Sequence, residues 1–260
     1  MLLEERMISR RKFLSLGLLA LPAAAGFDAK WIEPSLLSVR KLDLSSTGQT
    51  RARFIHFSDL HYKGDAEFAT EVVRKINELK PDFVCFTGDL VEDRAFATEA
   101  LSFVRQIDAP VYGIPGNHEY SSRAPFAEYQ SAFSTTGGAW LLARNATLEK
   151  HDVELVGMDI TGIDTRSKFG ANRRILLMHF PAVADQLCNE RFDLILAGHS
   201  HGGQVRLPFA GAIVLPPGVG KYDFGLYQTR AGLLNVNPGI GTYIVPWRFN
   251  CRPELTLITI

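Results

Sequence analysis

Two histidines one residue apart, His199 and His201, stand in the stretch AGHSHGG directly after an apolar run. Imidazoles at alternate positions, hemmed by glycine, suit metal ligation better than packing. Four further stretches end the same way. RFIHF runs into Ser58-Asp59-Leu60-His61, DFVCF into Thr87-Gly88-Asp89, PVYGI into Pro115-Gly116-Asn117-His118-Glu119, and RILLM into His179. The candidate ligands are Asp59, His61, Asp89, Asn117, His179, His199 and His201. Carboxylate, carboxamide and imidazole together suit divalent Mn, Fe, Zn or Ni better than soft copper or hard calcium. Hydrolytic enzymes use two such cations about 3.5 to 4 Å apart, which calls for a shared carboxylate. Asp89, the lone carboxylate of its loop directly after a strand and a glycine, is the natural bridge. A single Asp or Asn at such a place is ordinarily a cap or turn residue. Five clusters using five of the seven histidines leave that reading little room, whereas His56, within a strand, and His151, in a turn, are expected to be ordinary.

The segments that must position these residues are short, apolar and little alternated, the pattern of strands buried on both faces. Helical patterns separate the first three. AEFATEVVRKINELK sets Phe68, Val72, Ile76 and Leu79 on one face before Pro81, and RAFATEALSFVRQI does likewise with Phe96, Ala100, Phe103, Val104 and Ile107. Strand and helix in alternation predict an α/β core, whose ligands bind beyond the carboxyl ends of the strands. Residues 140–160 predict further strands with a turn near His151-Asp152, and the tail RPELTLITI alternates like an edge or half-buried strand. These segments together predict a second sheet.

Residues 1–25 stand apart. Arg10-Arg11 followed by LSLGLLALPAAA predicts a twin-arginine export signal, too short to span a bilayer and ending in a small-residue cleavage pattern. The division expected is a signal segment at 1–25, a linker with a candidate first strand at 26–52, and one domain at 53–260. That places the protein in the periplasm or otherwise outside the cytoplasm, membrane-associated if the signal is retained, with the export machinery as a partner. The 28 basic and 28 acidic residues cancel, so no basic stripe invites nucleic acid. Cys85, Cys188 and Cys251 are scattered and form neither a disulfide framework nor a zinc knuckle. A monomer is expected.

The ordered motifs Asp59-Leu60-His61, Gly88-Asp89, Gly116-Asn117-His118-Glu119, His179 and Gly198-His199-Ser200-His201 resemble those of the calcineurin-like metallophosphoesterases, over residues 53 to about 260. The endings GHSHGGQVRLP and GIGTYIVPWRFNCRPELTLI are similar to the bacterial twin-arginine-exported branch of phosphodiesterases. The resemblance implies a four-layer α-β-β-α sandwich, two packed mixed sheets flanked by helices. It implies one metal on Asp59, His61, Asp89 and His201, and a second on Asp89, Asn117, His179 and His199. The activity implied is phosphoester hydrolysis by a metal-bridging hydroxide, with His118 as general acid to the leaving oxygen.

Protein phosphatases of that family carry an arginine before their GNH block, where this chain has Pro115. The missing clamp for a phosphate dianion predicts diesters as substrates, either small molecules or envelope-associated. The acid that would orient His118 is Glu92 by spacing, with Asp93 beside it as the alternative. Lys221 and Tyr222, in the Gly/Pro-rich flank from Leu207 to Tyr227, and Arg248 are candidate substrate contacts weighed against ordinary surface roles. Two other functions compete: a pyrophosphatase of the UDP-2,3-diacylglucosamine type, which an apolar groove in that flank would favour, and a non-catalytic metal-binding scaffold, which the complete ligand set disfavours.

Overall fold

The computed structural model describes residues 22–45, 52–160, 162–163, 173–187 and 189–260. The twin-arginine pair and Cys188 lie outside them. Residues 22–32 are helical and lead to strand β1 (Ser38–Asp43), which lies within the 26–52 stretch. Then follow β2 (Arg53–Phe57), helix α1 (Ala66–Leu79), β3 (Phe83–Phe86), α2 (Ala97–Val104), β4 (Val111–Gly113), α3 (Asn117–Ser121), α4 (Phe126–Thr135) and β5 (Ala139–Trp140). The described residues of the second half add strands and short 3-10 turns: β6 (Asn145–Leu148), β7 (Val153–Asp159), β8 (Gly162–Ile163), β9 (Arg173–Leu177), β10 (Leu194–Ala197), β11 (Arg206–Leu207), β12 (Gly211–Ala212), β13 (Gly225–Gln228), β14 (Leu233–Val236) and β15 (Glu254–Thr259). Helix α1 starts where the Asp65 side chain accepts from the Phe68 amide and stops at left-handed Lys80, just before Pro81.

Two mixed sheets pack face to face. The first runs β1-β15-β2-β3-β4-β5 and the second β13-β14-β10-β9-β7-β6. Alternation along each strand divides the apolar residues between two faces. Phe54, Phe83 and Ile258 of the first sheet meet Leu155, Ile175 and Leu196 of the second. Ile55, Val84, Phe86 and Leu257 face the helices, against Ile76, Leu101 and Phe133. Each such burial contributes about 1.5–3 kcal/mol. The outer face of the second sheet is covered, among the described residues, by the 3-10 helix Pro181–Gln186 and by loop residues such as Phe192 and Tyr222.

The tail departs from the expectation. β15 is no edge strand: it lies between β1 and β2 in the first sheet, pairs with both, and is buried over Glu254–Ile258. Its apparent alternation reflects threonines and a glutamate that are buried through hydrogen bonds. Thr256 Oγ1 donates to Glu254 Oε1 at 2.7 Å, and that carboxylate accepts from Arg40 Nε at 2.8 Å. β9 and β10 belong to the second sheet with β7, so the five polar strand ends come from both sheets. β2, β3 and β4 run parallel in one sheet, and β9 and β10 in the other. Their carboxyl ends open on one edge of the sandwich.

Candidate metal centre

Backbone hydrogen bonds stitch these ends together. The Asp59 amide donates to Gly88 O at 2.9 Å, His61 to Asp89 O at 3.0 Å, and Gly198 to His179 O at 3.2 Å. Asp59, His61, Asp89, His199 and His201 all adopt left-handed backbone, with φ of 54°, 46°, 61°, 66° and 50°. Each such conformation is costly for a residue with a Cβ and persists only where surroundings enforce it, typically at functional sites. Gly116 permits the close approach: a Cβ there would stand 2.2 Å from Asp89 Oδ1.

The structure brings all seven predicted ligands together. Asp59, His61 and His201 form one group of donor atoms within 4.8 Å of one another, and Asp89, His179 and His199 form another. Asp89 lies between them, with Oδ2 3.6 Å from His61 Nε2 and 3.2 Å from His179 Nε2. Asn117 Oδ1 stands 3.1 Å from His179 Nε2. All but Asn117 are buried.

The donor chemistry fits divalent cations. His179 Nδ1 faces Thr87 O at 2.7 Å and His199 Nε2 faces Pro217 O at 2.7 Å, so each of these nitrogens carries its ring's hydrogen. The remaining nitrogens, His179 Nε2 and His199 Nδ1, oppose each other at 3.2 Å as bare lone pairs, with Asp89 and Asn117 oxygens beside them. His61 Nε2 and His201 Nε2 stand 3.1 Å apart, with no hydrogen-bond partner on either Nδ1. Lone pairs converging in a buried site repel unless a cation, or a proton, lies among them. With protein charges alone, burial resists charging His179, but Asp89 prevails and holds it up to about 9. That proton is the one a metal would displace.

His118 is half-buried on the first turn of α3. Its amide donates to Asp89 Oδ1 at 2.8 Å, and its ring packs edge-on against His61 and Tyr243. Burial lowers its pKa. A ring nitrogen also comes within 4.8 Å of donor atoms of His61 and Asp89. Neither acid named for orienting it bonds to its ring among the described residues. Glu92 Oε1 lies 3.5 Å from His61 Nδ1, and Asp93 caps the turn at 94–96.

The expected supporting roles resolve differently. His56 is an ordinary core histidine, hydrogen-bonded to Thr87 Oγ1 and Asn235 Nδ2, its pKa pushed by burial down to about 3. His151 lies in the turn before β7, its ring near Phe83. Tyr222 is buried with its hydroxyl donating to Asp185 Oδ1 at 2.5 Å, and exposed Lys221 pairs with the same carboxylate. Arg248 is wholly buried and donates to the carbonyls of Pro238, Gly239, Gly241 and Cys251, a structural brace and not a substrate contact.

Two residues escaped prediction. Buried Glu119 accepts from three amides, Asp89 and Gly116 on Oε2 and Leu90 on Oε1, at 2.7–2.8 Å, tying the β3 and β4 loops together. Burial and the Asp89 charge raise it to about 7. Its place after Asn117-His118 was the available signal. Tyr243, stacked on His61, carried none, because only the fold returns residues 240–248 to the site.

A model of the calcineurin-like phosphoesterase family matches residues 52–203. The chain is 32% identical over 283 residues to the uncharacterized metallophosphoesterase YkuE of Bacillus subtilis, covering 97% of this chain and 98% of that protein. It is 27% identical over 270 residues to the phosphodiesterase YaeI of Escherichia coli, covering 98% and 100%. To the UDP-2,3-diacylglucosamine pyrophosphatase LpxG of Chlamydia muridarum it is 24% identical over 312 residues, covering 93% and 94%.

Proposed function

Because this chain belongs to the calcineurin-like phosphoesterase family, we propose that it hydrolyses phosphodiesters with two divalent cations held in the cluster around Asp89. The observation that carries this reading is the meeting of the two donor groups on that one carboxylate. Asp59, His61 and His201 would hold one cation, and Asn117, His179 and His199 the other. Bound there, such cations supply charge that polarises a phosphoryl oxygen and eases deprotonation of water.

The chain's own residues do the rest. The Thr87 and Pro217 carbonyls fix the tautomers and orientations of His179 and His199. His118, whose imidazolium burial makes a stronger acid, gives its proton to the leaving oxygen. With Pro115 where a clamping arginine would stand, the site compensates less negative charge, which favours a diester monoanion. YaeI, named a phosphodiesterase, accords with this reading. The test compares a nitrophenyl phosphodiester with its monoester under Mn²⁺, alongside the metal content of the protein. Turnover of the diester and close to two metal equivalents are expected; a clear monoester preference, or no metal after supplemented growth, overturns the proposal.

A second reading, cleavage of a nucleotide-linked lipid pyrophosphate such as the name of LpxG describes, is favoured by an apolar groove beside the site. Part of it lies in the 207–227 flank where such a groove would favour that reading: its walls are 213–217 and 243–247. We further propose export by the twin-arginine route. Arg10→Lys with Arg11→Lys is expected to leave the protein in the cytoplasm, checked by fractionation, because a receptor reads that pair.

A further inference from the structure

The groove holds about 700 Å³, within the range of pockets that enclose a sizeable ligand. Its inner end is formed by Ser200, His201 and Gln204, so it opens from the metal-ligand cluster itself. One wall carries Ile213, Val214 and Leu215, the other Ile244, Val245 and Trp247. The Gln204 side chain offers a newcomer little, since its amide donates to Val245 O and Trp247 O and its oxygen accepts from the Tyr243 amide. An occupant here gains from hydrocarbon and not from hydrogen bonds, which disfavours a peptide backbone.

The apolar surface continues outside the groove. Among the described residues, Ile244 is 82% exposed and Val214 72%, and Phe209, in the turn between β11 and β12, is fully exposed. Ile244 and Phe209 hold left-handed backbone, φ 62° and 67°, which is unfavourable, most of all for the β-branched isoleucine. Trp31, 59% exposed, lines an adjoining cleft with Pro246, and the Arg248 amide donates to Ala29 O at 2.8 Å, so the 28–32 segment joins the same face. The sequence before that segment, from Leu14 to Ala25, is itself apolar. Tryptophan and aliphatic residues at a rim, with Lys30 and Lys63 beside them, match the composition of surfaces that sit at a lipid–water boundary. Among the described residues no helix is long and apolar enough to cross a membrane, so contact from this face is at the surface.

We propose that this face seats on a lipid bilayer and that the groove takes the hydrocarbon chain of a membrane phosphodiester whose phosphoryl group reaches the metal centre. The proposal rests on the phosphodiesterase reading for the reacting group, but the docking can be read without turnover. Of the chain's three tryptophans, Trp140 is buried in the core, so Trp31 and Trp247 report on this face. In the full chain, Trp31→Phe leaves Trp247 as reporter against phosphatidylcholine vesicles with brominated acyl chains. Its emission is expected to be quenched, and the quenching to vanish in the Trp31→Phe, Trp247→Phe double variant. It should persist at about 1 M salt, where screening lengths are about 3 Å. Ile244→Asp is expected to weaken the quenching partition about tenfold. Phe209→Ser, outside the groove, should weaken it as well while leaving hydrolysis of a soluble nitrophenyl diester unchanged.

Vesicle binding without quenching of Trp247 overturns the proposal, because the N-terminal apolar run then acts alone. Loss of quenching at high salt overturns it too. So does an Ile244→Asp effect confined to the oligomeric state, which would assign the face to a second copy. If the soluble diester is hydrolysed and Trp247 is not quenched, only the docking fails. If Trp247 is quenched and the diester is untouched, the phosphodiesterase reading fails and the docking surface stands.

Discussion

The His118 amide and the Asp89 carboxylate share a hydrogen bond of 2.8 Å, yet the roles proposed for the two residues differ. Asp89 stands between the two donor groups, so Asp89→Ala is expected to strip metal from both, read by elemental analysis. His118→Ala should keep the metals and slow turnover by about 10²–10⁴-fold, most with poor leaving groups. A metal loss as complete as that of Asp89→Ala would make His118 a ligand instead of an acid, a reading its distance to His61 and Asp89 allows. Glu119 acts through the backbone. In Glu119→Gln an amide N–H₂ replaces one of two oxygens that each accept from at least one backbone N–H, Oε1 also taking the Tyr129 hydroxyl, so a donor faces a backbone donor in either orientation. A loss of about 2 kcal/mol is expected, or about 4–8 °C in Tm by thermal denaturation.

At the scale of elements, strand ends deliver the ligands and glycines let them close. Gly116→Ala would drive a methyl group into Asp89 Oδ1 and His179, and should weaken metal uptake at least about tenfold without changing α3. β15 shows how far an element's place can differ from its pattern. Its polar residues suggested an edge, but Arg40 and Glu254 pair with each other and Thr256 bonds into the same network, so the strand is interior. Deleting residues 254–260 is therefore expected to abolish soluble folded protein, read by expression and circular dichroism, where trimming a true edge would be tolerated.

Across the whole molecule, cations that bind only the folded chain add to its stability by mass action. Stripping the protein with a chelator should abolish hydrolysis and remove about 2.7 kcal/mol for each site filled at a hundredfold excess over its Kd, seen as a lowered Tm restored by Mn²⁺. The candidate ligands that the fold brings together were legible in the sequence, because each follows a short apolar run whose strand character is local and whose end is abrupt. The helices α1 and α2 were legible for the same reason: their apolar spacing, cap and stop lie within about fifteen residues of one another. Which sheet each strand joins, the burial of β15 and the return of Tyr243 to His61 depend on contacts between residues far apart in the chain, and no local pattern encodes them. Arg248 and Tyr222 were candidate substrate contacts weighed against ordinary roles, and the fold showed their hydrogen bonds already taken by carbonyls and by Asp185. Residue type and spacing determined what chemistry the chain can do; only packing decided which polar groups were left free to do it, since a buried group must be satisfied by whatever the tertiary structure brings beside it.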